Sequence, residues 1–244
     1  MAFKGDFIGA EQQLSHAFSL FDRVSPSRSS VTWAYRSLGA LLVGDSIAAL
    51  EAARRARELA ELGFPGLGQL ERDIIRAEWL LGAAVLVALS SADTQFLKET
   101  DYLEQAETHL NEALIRCRRI NMVDHEPDIL LAWARWHHAK GNIDQARQDA
   151  GEALAIADCC EYRLKQAEIH NFLARLAWER VNELREMGDE NGAAQAFAEA
   201  REHAEIAKER AWCDGPPHCY KPALEEAEGL LEEIAFGNKR ILLR

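Results

Sequence analysis

The chain has 244 residues, of which 48% are hydrophobic and 28% charged, and its net charge is −12. That size and balance are enough to bury a substantial core, which excludes intrinsic disorder. The acidic sum excludes a general nucleic-acid binder, because phosphate contacts need a basic footprint, and the apolar run Trp79–Leu89 is too short to cross a bilayer core of roughly 30 Å.

The start MAFKGDFIGAEQQ lacks the apolar segment of an export signal. Five cysteines, including the vicinal pair Cys159 and Cys160, make an odd number that fits reduced thiols better than a disulfide framework. A cytoplasmic protein without membrane contact is therefore expected. Ala, Leu, Glu and Arg dominate nearly everywhere and the prolines fall outside the periodic stretches, so the fold class is all-α.

The first expected element, within residues 1–24, is a helix carrying Phe7, Leu14, Phe18 and Phe21 on one stripe. At about 30–64, YRSLGALLVG precedes the stop-and-cap pair Gly44-Asp45, after which Ala49, Ala53 and Ala56 form a small-residue face. At about 68–121, EWLLGAAVLV precedes a second such face, Ala106, Leu110, Ala113 and Leu114, with lengthened helices or an inserted loop around Ser90 to Asp101. At about 125–160, ILLAWARWHHAKG ends on Gly141-Asn142, followed by Ala146, Ala150, Ala153 and Leu154. At about 161–212, IHNFLARLAWERV precedes Ala200, Ala204 and Ala207, with extra length around Glu179 to Gly192. A last helix is expected at about 217–235, with Pro222 in its first turn and Ala223, Ala227 and Leu230 or Leu231 on its apolar face. Steps of three and four put each small set on one helix face, where a neighbouring helix can approach closely.

The stretch Pro127–Cys160 resembles a tetratricopeptide repeat (TPR): Leu130, Trp133 and Ala134 match its first helix, and Gly141, Ala146, Ala150 and Ala153 its turn and second helix. Asp158 stands where the repeat usually ends on proline. CEYRLKQAEIHNFLARLA followed by AWCDGPPHCYKPALEEAE is similar to the C-terminal TPR arms of bacterial signal-transduction NTPases of the STAND class, over about residues 125–232. The resemblance implies a single domain, residues 1–244: a right-handed TPR-like α-solenoid of antiparallel helix pairs with a C-terminal capping helix. In that register the chain opens on the second helix of a repeat. It is then the C-terminal portion of a longer protein, or a partner or second copy covers the stripe of Phe7, Leu14, Phe18 and Phe21, or the opening helix folds back on the next repeat.

The resemblance further implies recognition of a protein or peptide on a concave face made by the first helices. Read by register, that face holds Arg36, Trp79, Leu131, Arg135, His138, Asn171, Arg175 and Trp178. Arginines and tryptophans there suit an acidic or aromatic-bearing peptide, while Trp79 and Trp178 fit equally as core residues of long helices. The implied role is a non-enzymatic sensing module, with a free-standing adaptor or inhibitor as the alternative. No cofactor is implied, and no GxxxxGK[ST] phosphate loop occurs.

Three groups of residues invite a chemical reading. In RAWCDGPPHCYKPALEEAEGLL, Cys213, His218 and Cys219 could form a zinc site or a thiol–imidazole dyad. Zinc needs four ligands and a dyad needs convergent side chains, whereas Asp214-Gly215, Pro216 and Pro217 read as a turn between helices. His137 and His138 sit at a helix end, where cations are favoured. Glu225, Glu226, Glu228, Glu232 and Glu233 read as a solvated helix face.

Overall fold

The computed structural model describes residues 1–24, 26–62, 68–90 and 99–242. Among them every regular element is helical: α1 (Phe7–Val24), α2 (Ser29–Leu42), α3 (Ser46–Glu61), α4 (Gly68–Ser90), α5 (Glu99–Arg119), α6 (Glu126–Ala139), α7 (Ile143–Cys159), α8 (Arg163–Glu186), α9 (Glu190–Trp212) and α10 (Lys221–Leu242), with short 3-10 turns at Ala2–Lys4 and Pro26–Arg28. The expected all-α class is observed. Residues 91–98, where an inserted loop was expected, lie outside the described residues. The extra length expected around Glu179 to Gly192 is mainly helix, since α8 continues to Glu186. No helix among the described residues is long and apolar enough to cross a membrane.

The helix ends follow from local chemistry. Gly44 and Gly188 turn the chain with a φ of +76°, a region open to glycine. Asp45 then accepts the Ala48 N–H at 2.9 Å, and Asp189 accepts the Gly192 N–H at 2.9 Å, each satisfying one of the free donors of a helix start. Proline enters in the first turns of α6 and α10, as Pro127 and Pro222, where its missing N–H costs nothing.

The backbone divides into two compact units, Met1–Ala2 with Asp6–Asp149 and Phe3–Gly5 with Ala150–Arg244, the division falling inside α7. In the first unit α1 packs on α2, α2 on α3, α3 on α4 and α4 on α5, while α2 also meets α4 and α4 meets α6. Pairs such as Glu78–His109 and Glu71–Arg116 keep a nearly constant sum of residue numbers, which makes α4 and α5 antiparallel. Gly82 is where they come closest: a Cβ there would lie 2.6 Å from the Leu110 side chain. Ala49, Ala53 and Ala56 of α3, and Ala106, Leu110 and Ala113 of α5, are wholly buried, so the small-residue faces are packing faces.

In the second unit α8 packs on α9, and α10 lies against both. His170–His203 and Trp178–Phe197 pair antiparallel, whereas Asn171–Ala223 and Arg175–Glu226 advance together, so α10 runs parallel to α8. Ala174, Ala177, Ala200, Ala204, Leu230 and Ile234 form its core. The last helix starts at Lys221 rather than 217 because three backbone bonds hold the preceding turn: Gly215 N–H to Trp212 O, His218 N–H to Gly215 O and Tyr220 N–H to Ala211 O. It ends later than 235, with Gly237 packed on the Trp178 ring.

Candidate interaction surface

Of the residues read as ligand-facing in the first unit, most are already engaged. Arg36 donates to Glu11 at 2.7 Å and to Ser15 at 2.9 Å, and its guanidinium lies 4.8 Å over the Trp33 ring, so it binds α2 to α1. Trp79 is only 7% exposed and belongs to the core with Leu80, Leu81 and Ile129, and Leu131 is buried as well. His138 is half-buried. Arg135 differs: it is exposed on α6 and has no ion pair among the described residues.

The opening stripe is half-buried at Phe7, Leu14, Phe18 and Phe21, with Phe18 set edge-on to Trp33 at 6.0 Å. The helix therefore folds back on α2, one of the expected alternatives, while Ile8 and Leu20 on its other sides stay exposed.

In the second unit the three residues expected on the ligand face meet α10 instead. Asn171 is wholly buried and donates from Nδ2 to the Ala223 carbonyl at 2.9 Å. Arg175 donates to Glu226 at 3.4 Å, and Trp178 packs against Phe197 and Gly237. Of the acidic residues on α10, Glu226 and Glu228 make ion pairs with other helices, the latter with Lys208 at 3.0 Å, so the helix is docked through part of its charged face.

Two polar clusters were not visible in the sequence. Glu78 of α4 is 4% exposed and bonded both to Arg57 of α3 and to His109 Nδ1 of α5 at 2.7 Å. Burial opposes charge on Glu78, but the bonds from His109 and Arg57 outweigh it and hold the carboxyl below the ordinary range. Beside it, Arg76 donates to Asp73 at 3.0 Å and to His125 Nε2 at 3.2 Å, and His125 Nδ1 faces Asp128 at 3.3 Å. In the second unit His170 Nδ1 and His203 Nδ1 lie 2.8 Å apart between α8 and α9. Burial, then His203, push His170 down to about 4. A lone acid beside the apolar run WLLGAAVLV, and histidines among small residues, are the only sequence signals for these clusters.

The chain matches no family model and none of the curated proteins compared with it.

The stretch from Arg210 to Leu231 separates its chemical residues. Cys219 is buried with Ala167, Ala211, Ala223 and Leu224, His218 is exposed, and Cys213 turns its thiol to the Arg210 carbonyl at 3.7 Å. Cys213 has a φ of +50° and Pro216-Pro217 is cis, so these residues shape the bend into α10. His137 Nε2 faces Asp149 at 3.5 Å while its ring stacks beside Trp133 and Trp136. No group of three or more His, Cys, Asp or Glu side chains among the described residues is placed to hold a metal ion.

Proposed function

We propose that this chain is a non-enzymatic interaction module whose stacked hairpins follow a right-handed TPR-like path, recognising an acidic or aromatic-bearing segment of a protein partner. The observation that carries the reading is that alternate helices meet, α2 with α4 and α4 with α6 in one unit and α8 with α10 in the other, the last pair running parallel. Within each unit such stacking sets first helices side by side as a recognition wall. Arg135 supports it as an exposed cation on that wall, with a planar fork of donors suited to carboxylates. The resemblance to STAND-class sensor arms supports a role in bacterial cytoplasmic signalling, with α10 as the cap of the module.

The test is a display library of acidic peptides panned against the full chain and against Arg135→Glu. The reading expects peptides enriched by the wild type to lose at least about tenfold in affinity on charge reversal, a loss of about 1.4 kcal/mol. Equal enrichment by both proteins, with unchanged far-UV circular dichroism, would remove the proposal.

A further inference from the structure

We propose that Cys159 and Cys160 form a capture site for trivalent arsenic, held as a bridge between the two adjacent sulfurs. The five thiols differ sharply in availability. Cys117 is wholly buried, donates to the Met122 carbonyl at 3.2 Å, and burial pushes its thiol up to about 12. Cys219 is buried in the α8–α10 core, and Cys213 is turned to a backbone carbonyl. Cys159 is exposed and Cys160 half-buried, and neither sulfur makes a hydrogen bond among the described residues. Reactivity toward soft electrophiles follows exposure and freedom of the thiol, so it concentrates on this pair.

The backbone fixes both residues of the pair at the end of one helix. Cys159 is the last residue of α7, and the Cys160 N–H still bonds the Ile156 carbonyl at 3.0 Å, so both stand on one helical turn. Glu161 then reverses the chain with a φ of +54°, and the Tyr162 N–H closes on the Ala157 carbonyl at 2.9 Å.

The donor set selects the ligand class. Zinc requires four ligands, and among the described residues no third His, Cys, Asp or Glu joins the pair in a metal-holding group. Mercury(II) favours two sulfurs on opposite sides, a linear geometry that a chelate ring closed over two consecutive residues does not favour. Arsenic(III) is soft, accepts two sulfurs on the same side and keeps a third substituent of its own. In the reaction As(OH)₃ exchanges two hydroxyls for two sulfurs. Each thiol gives its proton to a departing hydroxyl, two waters leave, one hydroxyl stays on arsenic, and no atom changes oxidation state. The second As–S bond closes intramolecularly, so the bridge outlasts any single-thiol adduct through effective concentration.

The test treats the full reduced chain with one equivalent of phenylarsine oxide, then with excess glutathione, and reads intact mass and peptide maps. One arsenical per chain should persist on the peptide holding Cys159 and Cys160, resist glutathione and leave on addition of a dithiol. Cys159→Ser and Cys160→Ser should each cut the retained fraction at least about 100-fold, whereas Cys213→Ser should not. Inorganic arsenite should block alkylation of the same two thiols. The proposal is overturned by retention in either single variant, by an adduct mapping to Cys213 or Cys219, or by removal from the wild type with glutathione. The glutathione and mapping results use the unaltered chain, so they stand even if a serine variant folds poorly.

Discussion

The His170–His203 contact makes the second unit sensitive to acid in a way that can be calculated. The two Nδ1 atoms lie 2.8 Å apart, and His170 is 8% exposed. Burial, the neighbouring His203 and Arg210 lower its affinity for a further proton, opposed only by Asp158, and the result is about 4 against an ordinary 6.5. The unfolded segment binds a proton as pH falls through 6.5, while the folded one does so only near 4. The contribution to stability is therefore complete above about 6.5 and is lost progressively as pH falls to about 4. At about 1.4 kcal/mol per pH unit the full loss is about 3 kcal/mol, of which about 2 kcal/mol is gone by pH 5. Because other carboxylates titrate in the same window, the measurement is a difference: wild type against His170→Gln, which cannot titrate but can still accept from His203. Hydrogen exchange of α8 amides at pH 7 and pH 5 reads opening of this hairpin separately from the rest of the chain. The opening free energy of the wild type should fall by about 2 kcal/mol more than that of the variant. Parallel pH dependence in the two proteins would refute the assignment of the effect to His170.

Three further outcomes follow from packing and caps. Gly82→Ala should destabilise the first unit by about 1–2 kcal/mol in urea, despite alanine's helix propensity, because the new Cβ meets the wholly buried Leu110. Glu78→Ala leaves Arg57 and His109 without their shared acceptor, and the loss should reach about 2–3 kcal/mol, the Glu61 pair of Arg57 limiting it. Asp45→Ala and Asp189→Ala each remove a helix cap and should cost about 1 kcal/mol, with Asn at either site recovering most of it.

The helices were legible because their determinants are local. Gly44-Asp45 announced a stop and a cap, and the chain delivers both in the left-handed φ of Gly44 and the bond from Asp45 to the Ala48 N–H. Alanines at steps of three and four announced buried faces, and Ala146, Ala150, Ala153 and Ala157 are wholly buried. The start of α10 was misplaced because His218, Cys219 and Tyr220, which follow the turn residues Asp214 to Pro217, carry no turn signal of their own. Only the closing bond from Tyr220 to Ala211, formed across the bend, shows that they are used up as turn.

The candidate surface was less legible, for a reason that Arg36, Arg175 and Arg135 make plain. A register assigns all three to the same face, yet a cation's availability depends on what stands opposite it in space. Glu11 is 25 residues from Arg36 and Glu226 is 51 from Arg175, separations at which no pattern of spacing links the partners. Asn171 carries the same lesson, since its amide is spent on the first turn of α10. Among the described residues Arg135 has no such carboxylate, so of the arginines expected to face a ligand it alone has no ion pair to break. If an acidic segment is the partner, its affinity should therefore depend on Arg135 far more than on Arg36 or Arg175, whose release would first require breaking an existing ion pair. Charge reversal at Arg36 should instead weaken the packing of α1 on α2, seen as faster exchange of the α1 amides, with peptide binding changed less than by Arg135→Glu.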